Sequence, residues 1–536
     1  MNYTIHTPEG TRDRMFAECR NRRQIQNALT ALFQTRGFAE ISTPEVEFYD
    51  LFIQSGNPIP QESMLKIIDR SGKIMVMRPD CTTPIARVAA TRLKTVPMPL
   101  RLYYNETVFR SGAAHTGGSS EIAQCGVELL GAGDREADLE VISLAVEALK
   151  KISPDAGHIE LGHAGLFKAL TDELEIDAGG AEQLRRLIEG KHFAALEDLL
   201  RPYEGKRAYQ LLTRLPNLFG GTEVLEEAEA LVGPRTELSY LRDLYQVLEQ
   251  AGYGSFVQFD LGLVHQIDYY TGVVFRGYAQ GAGAPVLSGG RYDHLLGAFG
   301  RPAPAIGFAI DVDAVAARQS AEKREGRLRI ALTKGRLQDK TVQLLERVGL
   351  DCTPIKNPGR RLVHALPNYP LDAVLAKAPD VITYVEHGVC DLGVVGKDTI
   401  LEQGSPFYEV LDLGFGACRF ALAVKEGSDF YGTYKTRRIA TKYPNVARRF
   451  FAEKGMDVEI IKIEGSVELA PILDLADAIV DIVETGATLK ENGLVPIEDV
   501  APVSARLVVN TAAMKLKKNE ILDFIGKCQR GLEENI

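Results

Sequence analysis

The chain has 536 residues, a hydrophobic fraction of 45%, a charged fraction of 25% and no tryptophan, which is the composition of an ordinary globular protein. At about 150 residues per domain, this length predicts two to four domains, and the lack of an apolar run of about 18 residues predicts no membrane span. The net charge of −10 repels nucleic-acid backbones, so no nucleic-acid partner is expected and a polyanionic ligand must be met by local basic clusters.

Two further features narrow the class of protein. The start of the chain, Met1–His6, has neither a basic nor an apolar export region, so a cytoplasmic protein is expected. The seven cysteines contain no C-x-x-C pair and lie near no histidine pair. The sequence therefore predicts neither a disulfide framework nor a metal held by protein ligands.

The first part of the chain is predicted to form an antiparallel sheet with helices on one side. It opens with an amphipathic helix, Arg22–Arg36, whose apolar residues recur at helical spacing. Strands are predicted near Ile74–Met77, Leu100–Phe109 and Ile122–Leu130. A helical, charged region then runs from about 157 to 252, and a strand returns at Val257–Leu261.

A polar run, residues 318–327, is predicted to be a linker between residues 1–317 and residues 328–536. After it, strands and helices alternate, beginning with strand Leu328–Leu332 and helix Leu337–Val348; the apolar run Val381–Val385 is assigned to the strands. This α/β pattern is long enough for two lobes of about 100 residues with a ligand cleft between them. We assign about 328–418 plus 504–536 to lobe 1 and about 419–503 to lobe 2.

One stretch in lobe 2 predicts a sugar-phosphate site. It runs from a β-branched strand into a short turn and then a helical turn that ends at Gly493, and its residues are Asp481, Glu484, Thr485, Gly486, Ala487 and Thr488. Backbone N–H groups at the turn and the two threonine hydroxyls suit a phosphate. The two carboxylates suit ribose hydroxyls, since they would repel a phosphate. A surface turn capped by threonine is the alternative.

Basic residues recur where other strands give way to loops. Arg offers a planar fork and Lys a point charge to polyphosphate groups, although each loop taken alone is also typical of a solvated surface. The run that ends at Lys397 lacks the spacing of a Walker A loop. The residues concerned are Lys334, Gly335, Arg336, Arg360, Lys397, Thr441 and Lys442.

Residues 328 to about 533 resemble the short form of ATP phosphoribosyltransferase. The resemblance rests on runs that include Leu332–Leu337, Tyr384–Gly388, Gly393–Asp398, Arg438–Tyr443 and Gly465–Pro471, together with the loop at 481–488. One departure is Asp474, which stands where the family signature usually has glycine.

The resemblance implies that N1 of ATP attacks C1 of phosphoribosyl pyrophosphate and releases pyrophosphate, the first step of histidine biosynthesis. No protein base is needed because adenine N1 has a free lone pair, and Mg²⁺ is expected to arrive with the substrates. The 481–488 loop would hold the ribose and its 5-phosphate. Lys334, Arg336 and Arg360 would neutralise pyrophosphate and triphosphate.

The first part of the chain contains the runs Thr43–Glu45, Arg78–Thr82, Val108–Arg110, Gln124–Glu128, Ile267–Gly272, Ser288–Asp293 and Ile306–Ile310. On these runs, residues 1–317 resemble the core of class II histidyl-tRNA synthetase, in the relative called the ATP phosphoribosyltransferase regulatory subunit. Arginines of the synthetase pattern are missing, so aminoacylation is expected to be lost; the replacing residues are Ala113, Gly118, Ser120, His265 and, near the third motif, Asp313. The amino-acid pocket is kept, and by resemblance it would bind histidine. Its residues are Asp80, Thr82, Arg110, Gln124, Glu128, Tyr269 and Tyr270.

Together the two resemblances imply an α+β class II synthetase-like domain followed by a two-lobed α/β domain of periplasmic-binding-protein-like type. They imply a transferase that histidine, the end product of the pathway, inhibits through the first domain. A homo-oligomer, dimer or tetramer, is expected by resemblance. The alternative is a histidyl-tRNA synthetase-like protein with an appended non-catalytic solute-binding domain.

Overall fold

The structure is a computed structural model that describes residues 5–54, 59–111, 119–153, 157–190, 193–264, 269–279, 282–319, 326–404, 407–432 and 435–533. The chain divides into two compact units, unit 1 (Met1–Lys323) and unit 2 (Arg324–Ile536). Among the described residues, no helix combines the length and apolar character needed to span a bilayer.

Unit 1 contains a nine-stranded sheet and a separate three-stranded sheet. Its strands are β1 Ala39–Glu40, β2 Val46–Phe48, β3 Lys66–Ile68, β4 Ile74–Met77, β5 Leu100–Phe109, β6 Glu121–Leu130, β7 Gly157–His163, β8 Phe219–Gly220, β9 Val257–Asp260, β10 Val273–Ala279, β11 Leu287–Arg291 and β12 Ala305–Asp311. Its helices are α1 Ala17–Thr35, α2 Tyr49–Gln54, α3 Thr82–Ala90, α4 Arg135–Ile152, α5 Ala164–Glu173, α6 Ala178–Glu189, α7 Phe193–Leu200, α8 Arg207–Arg214, α9 Glu223–Val232, α10 Thr236–Gln250 and α11 Val312–Gln319.

The large sheet has the order β1-β5-β6-β12-β11-β10-β7-β9-β8. Its neighbours are antiparallel except β1 with β5 and β7 with β9. Side chains alternate across a strand, so on β6 Cys125 and Val127 enter the main hydrophobic core with helices α1 and α4. Gln124 and Glu128 then face the opposite side of the sheet.

The first helix begins earlier than predicted. It starts at Ala17 and buries Ile25, Leu29 and Phe33. The prediction began at Arg22 because it followed the apolar periodicity, and the preceding turn consists of exposed residues that carry no such signal.

Unit 2 has two sheets. The first, in the order β14-β15-β13-β16-β23-β17, belongs to lobe 1; the second, in the order β20-β19-β21-β18-β22, belongs to lobe 2. The strands are β13 Leu328–Thr333, β14 Val363–Ala365, β15 Leu371–Ala376, β16 Leu392–Gly396, β17 Phe407–Asp412, β18 Cys418–Lys425, β19 Arg437–Thr441, β20 Val458–Lys462, β21 Ala478–Val483, β22 Leu494–Val503 and β23 Ala505–Asn510. The helices are α12 Arg336–Arg347, α13 Thr353–Lys356, α14 Ala378–Glu386, α15 Lys397–Gln403, α16 Pro444–Glu453, α17 Leu469–Ile472, α18 Ala487–Glu491, α19 Thr511–Leu516 and α20 Lys518–Glu533.

The assignment of Val381–Val385 to a strand was wrong, because these residues form the body of helix α14. Pro379 stands in the first turn, where its missing N–H costs nothing. Val381, Ile382 and Val385 are buried, and their spacing is that of one helix face against a sheet. The β-branched composition of a short run did not distinguish a buried helix from a strand.

The chain crosses between the two lobes twice. One crossing is Leu413–Ala417, between β17 and β18, and the other is Ser504, between β22 and β23. The crossings are hydrogen-bonded to each other: Leu413 N donates to Ala505 O at 2.9 Å, and Ala505 N donates to Phe415 O at 2.9 Å.

Candidate functional sites in the two units

A buried carboxylate forms the centre of the candidate site in unit 1. Thr82 Oγ1 donates to Glu128 Oε1 at 2.6 Å, and the Tyr292 hydroxyl donates to the other oxygen. On the neighbouring strand, a Cβ on Gly307 would lie 2.0 Å from Glu128 Oε2. Glycine is therefore required there for the carboxylate to occupy this position.

Three tyrosine rings surround this carboxylate. Tyr269 stacks on Tyr292 with ring centroids 5.3 Å apart, and it meets Tyr270 edge to face at 5.1 Å. A Cβ on Gly290 would lie 2.7 Å from the Tyr270 ring. The rings form an apolar wall around a polar centre, which suits a flat ligand with polar atoms at its edge.

Burial raises the pKa of Glu128 to about 7, against the lowering effect of its hydrogen bonds with Thr82 and Tyr292. The charge of Asp80 raises this pKa further, which shows that the two carboxylates interact. Burial also raises the pKa of Tyr269 well above its ordinary value, and the Thr82 hydroxyl hydrogen-bonds to that tyrosine. The pocket therefore holds a carboxyl group that changes its charge near neutral pH.

The other predicted residues of this site lie around that centre. Asp80 accepts from the Thr83 backbone N–H at 2.7 Å, at the start of α3. Arg110 Nε donates to the Pro79 carbonyl at 2.9 Å. Gln124 lies opposite Asp311 in the β6–β12 register, and Arg110 lowers the otherwise raised pKa of Asp311.

Tyr292 was not predicted as a site residue. Tyr292 belongs to the run Ser288–Asp293, which supports the resemblance, but the pattern of that run assigns no role to the tyrosine side chain. The signal that could have found it is the pair Gly289-Gly290, which Arg291 separates from Tyr292, because glycines on a strand often mark a close approach by another group.

Asp313, at the position near the missing third-motif arginine, is held by cationic and backbone groups. Arg14 Nη2 lies 3.2 Å from Asp313 Oδ2, Arg22 Nε lies 3.7 Å from Oδ1, and the Ala123 N–H donates to Oδ2 at 2.9 Å. Ser120 N donates to Gly10 O at 2.6 Å. The replaced positions Ala113, Gly118 and His265 lie outside the described residues.

The candidate site in unit 2 is built around the turn that follows β21. Gly486 has φ +77°, a left-handed conformation that favours glycine, and α18 begins directly after it at Ala487. The Ala487 N–H donates to Thr485 Oγ1 at 3.4 Å. Thr485, Ala487 and Thr488 are exposed.

Asp481 lies at the deep end of this turn. Burial raises its pKa, the Ile482 N–H donates to it at 2.8 Å, Glu468 raises its pKa further and Lys442 lowers it. The carboxyl is thus half-buried beside a second acid and one cation. It could accept hydrogen bonds from ligand hydroxyl groups.

An ion pair joins the two lobes at this turn. Arg336, at the start of α12 in lobe 1, contacts both carboxylate oxygens of Glu484 in lobe 2, at 3.1 and 3.0 Å. Gly335 precedes it with φ +91°, so the chain turns sharply as β13 ends. Deeper in the cleft, the Tyr443 hydroxyl donates to Asp398 at 3.2 Å.

The remaining predicted residues divide into two groups. Lys334, Arg360 and Lys442 are exposed at loops. Thr441 is fully buried: its hydroxyl donates to Val480 O at 2.6 Å and accepts from the Tyr443 N–H. The Lys397 ammonium forms an ion pair with Glu409, and only 19% of the Lys397 side chain is exposed.

Within the part of the chain that the structure describes, no group of three or more acidic, histidine or cysteine side chains is arranged to hold a metal ion. A metal ion that arrives bound to a substrate does not require such a group of protein ligands.

In comparisons with known proteins, the first and second parts of the chain match two different families. Residues 10–315 match the family described as histidyl-tRNA synthetase, and residues 377–530 match ATP phosphoribosyltransferase. A regulatory subunit of ATP phosphoribosyltransferase from Clostridium kluyveri is 42% identical over 320 residues, which are 59% of this chain and 82% of the relative. The ATP phosphoribosyltransferase of that organism is 61% identical over 210 residues, which are 39% of this chain and 96% of the relative.

A solved structure extends the comparison. The ATP phosphoribosyltransferase regulatory subunit/histidyl-tRNA synthetase from Bacillus halodurans C is 31% identical, with a TM-score of 0.56, and the match covers 70% of this chain and 94% of that one. The expected class II synthetase-like fold of the N-terminal part is therefore confirmed.

These matches define a transferase part that shares one chain with a synthetase-like part. The chain belongs to the histidyl-tRNA synthetase family over residues 10–315, within its ATP phosphoribosyltransferase regulatory subunits, and to the ATP phosphoribosyltransferase family over its C-terminal part.

Proposed function

We propose that the chain is an ATP phosphoribosyltransferase which carries its own regulatory domain. Unit 2 transfers the phosphoribosyl group of phosphoribosyl pyrophosphate to N1 of ATP and releases pyrophosphate, the first step of histidine biosynthesis. The observation that carries the proposal is the contact of Arg336 with Glu484. It brings a cation of lobe 1 to the sugar-phosphate turn of lobe 2, where the leaving pyrophosphate would lie.

In this reaction the protein positions two polyanions. Thr485, Gly486, Ala487 and Thr488 offer backbone and hydroxyl donors to the 5-phosphate. Asp481 and Glu484 accept from the ribose hydroxyls and so orient C1 toward the adenine ring. Adenine N1 supplies its own lone pair, so no side chain has to remove a proton before attack.

The departing pyrophosphate takes the electron pair of the C1–O bond. Lys334, Arg336 and Arg360 are proposed to stabilise this charge as it develops, with Mg²⁺ bound to the substrates. Lys442 is proposed to serve the ATP phosphates. Lys397, Thr441 and Gly335 are proposed as supports of this side of the cleft: Lys397 through Glu409, Thr441 through its backbone hydrogen bonds and Gly335 through its turn.

We further propose that unit 1 binds histidine and thereby inhibits unit 2. Glu128, Asp80 and Thr82 would receive the cationic and N–H groups of histidine, with Tyr269, Tyr270 and Tyr292 around the imidazole. Arg110 and Gln124 would meet its carboxylate. The buried Glu128 and the rings stacked against it support this pocket.

The two sheets of unit 2, joined by two chain crossings, support a periplasmic-binding-protein-like type for this domain. The biosynthetic relatives support a cytoplasmic, homo-oligomeric protein. Pyrophosphate release from ATP and phosphoribosyl pyrophosphate tests the activity, and its decrease on addition of histidine tests the regulation.

The match to the histidyl-tRNA synthetase family favours one second candidate, an aminoacylating enzyme. Asp313 argues against an aminoacylating enzyme, because a carboxylate repels the phosphates of ATP. This acid stands near the position of a synthetase arginine and is already paired with Arg14. Transfer of labelled histidine to tRNA by the full chain would establish that candidate.

A further inference from the structure

A groove of about 350 Å³ lies beside α12 in unit 2. Its walls come from α12, from α20 and from the crossing that joins β17 to β18. Leu344 and Leu413 are buried beneath it, and Phe415 is half-buried at its side. The volume lies within the range of small-molecule sites, which are about 300–1,000 Å³.

Two cations border the groove. Lys340 and Arg347 lie seven residues apart on α12, which places them on the same side of the helix about 10 Å apart. Both are exposed. Across the described ranges of the chain, neither forms an ion pair with a carboxylate, whereas six other arginines of unit 2 do: Arg327, Arg336, Arg419, Arg437, Arg438 and Arg506.

Asp412 is the one acid among the described residues that line the groove, and it does not neutralise these cations. Asp412 directs Oδ2 to Arg506 at 2.9 Å, and its Oδ1 accepts from Ser504 Oγ at 2.8 Å and from the Gly414 N–H at 2.9 Å. These three contacts fix the carboxylate toward the second crossing. Among its described lining residues, the groove therefore combines an apolar floor with two cations that no carboxylate pairs.

The groove also contacts the segment on which movement of the lobes would depend. Leu413, Gly414 and Phe415 line it and belong to the first crossing between lobes. Gly414 and Gly416 have φ +70° and +68°, conformations that favour glycine. Hydrogen bonds from Leu413 and to Phe415 link this segment to Ala505, the first residue of β23, directly after the second crossing.

We propose that this groove is a binding site for a small organic anion: an apolar body, flat or branched, that carries a carboxylate, sulfonate or phosphate group. The body rests on Leu344, Leu413 and Phe415, and the anion pairs with Lys340 or Arg347. An occupant presses on the crossing between the lobes and so changes how readily the cleft closes on substrates. This last step rests on the proposed transferase function, whereas the binding itself does not.

The test uses the full chain and 8-anilinonaphthalene-1-sulfonate, an aromatic anion whose fluorescence reports binding. The double variant Lys340→Ala/Arg347→Ala is expected to raise the dissociation constant of the probe at least about ten-fold, because the bound anion loses a charged hydrogen-bond partner. The control is Arg449→Ala, which removes an exposed arginine from α16 in lobe 2 and should leave binding unchanged. Hydrogen exchange should show that the probe protects residues 412–416 in the wild-type chain but not in the double variant.

Equal affinity of the probe for the double variant and the wild type would overturn the proposal, and so would a lack of protection of residues 412–416. Competition by inorganic sulfate that is as strong as competition by naphthalene-2-sulfonate would overturn it as well. Loss of the probe site as the protein concentration rises would also overturn it, since a second copy of the chain would then cover the groove. If binding is confirmed, naphthalene-2-sulfonate should change the KM for phosphoribosyl pyrophosphate in the wild type but not in the double variant. Unchanged kinetics with confirmed binding would refute the coupling, and absent turnover would refute the transferase function while leaving the binding result intact.

Discussion

Arg336 Nη1 lies 3.1 and 3.0 Å from the two carboxylate oxygens of Glu484, so one ion pair joins the two lobes of unit 2 at the sugar-phosphate turn. Both side chains remain more than half exposed, at 57% and 54%. An exposed pair of this kind contributes only about 0–1 kcal/mol. Substrates can therefore separate this ion pair. Arg336 would then bind the anionic pyrophosphate, and Glu484 would accept hydrogen bonds from the ribose hydroxyls.

The first prediction concerns Glu484. Glu484→Gln should raise the KM for phosphoribosyl pyrophosphate about ten-fold, because an amide accepts weaker hydrogen bonds from ribose hydroxyls than a carboxylate does. Steady-state kinetics with saturating ATP measures this change. Glu491→Gln, in the exposed helix that follows the turn, is the control and should behave as wild type; equal effects of the two substitutions would remove Glu484 from the ribose site.

The second prediction concerns Arg360. Arg360→Ala should lower kcat about 10²-fold with folding intact, as loss of one group that stabilises transition-state charge does. Arg361→Ala changes the adjacent exposed residue and should keep near-normal turnover. Thermal unfolding of both variants checks that the fold is retained, and near-normal turnover of Arg360→Ala would exclude this arginine from the site.

The third prediction concerns the regulatory pocket. Glu128→Ala should weaken inhibition by histidine about 10- to 100-fold, because the ligand loses a buried, charged acceptor, while turnover without histidine stays unchanged. Glu140→Ala removes an acid of the same unit that pairs with Arg101 at the surface, and it should leave inhibition intact. Normal inhibition of the Glu128 variant would place the histidine site elsewhere.

The fourth prediction is a pH dependence. Glu128 has a pKa of about 7 in the folded pocket, so inhibition should strengthen as the pH rises through about 7 and the carboxylate that attracts the histidine cation forms. The Thr82 hydroxyl lowers this pKa; Thr82→Val should therefore shift the midpoint of the pH profile upward. The titration of histidine itself is the same in both profiles, so an unshifted midpoint would show that Glu128 does not control binding.

The same titration affects the stability of the empty pocket. An unfolded chain releases the Glu128 proton near the ordinary pKa of a glutamate, whereas the folded pocket keeps it to about pH 7. The contribution of this group to the free energy of unfolding is therefore fully present at acidic pH and is lost as the pH rises through about 7.

The sequence predicted those features that leave a local pattern. The stretch 481–488 runs from the end of β21 through a turn into α18, as its glycine and threonines indicate. Thr82, Glu128, Tyr269 and Tyr270, which are far apart in sequence, do lie around one buried centre. Only the resemblance could place them together, because no composition or spacing records contacts across strands.

Other features depend on tertiary contacts that a single sequence does not show. Lys397 carries the charge expected of a phosphate ligand, but Glu409, twelve residues away, engages it. The Thr441 hydroxyl has the same chemistry as that of Thr488, but it is buried and bonded to Val480. Val381–Val385 has strand-like composition, yet packing against the lobe 1 sheet makes it a helix face.

The most direct test of the central claim is one assay of the full chain with ATP, phosphoribosyl pyrophosphate and Mg²⁺, in which pyrophosphate release is followed before and after histidine is added. We predict steady release that histidine decreases in a saturable manner. Absence of release would contradict the transferase function, and release that histidine leaves unchanged would contradict its control by unit 1.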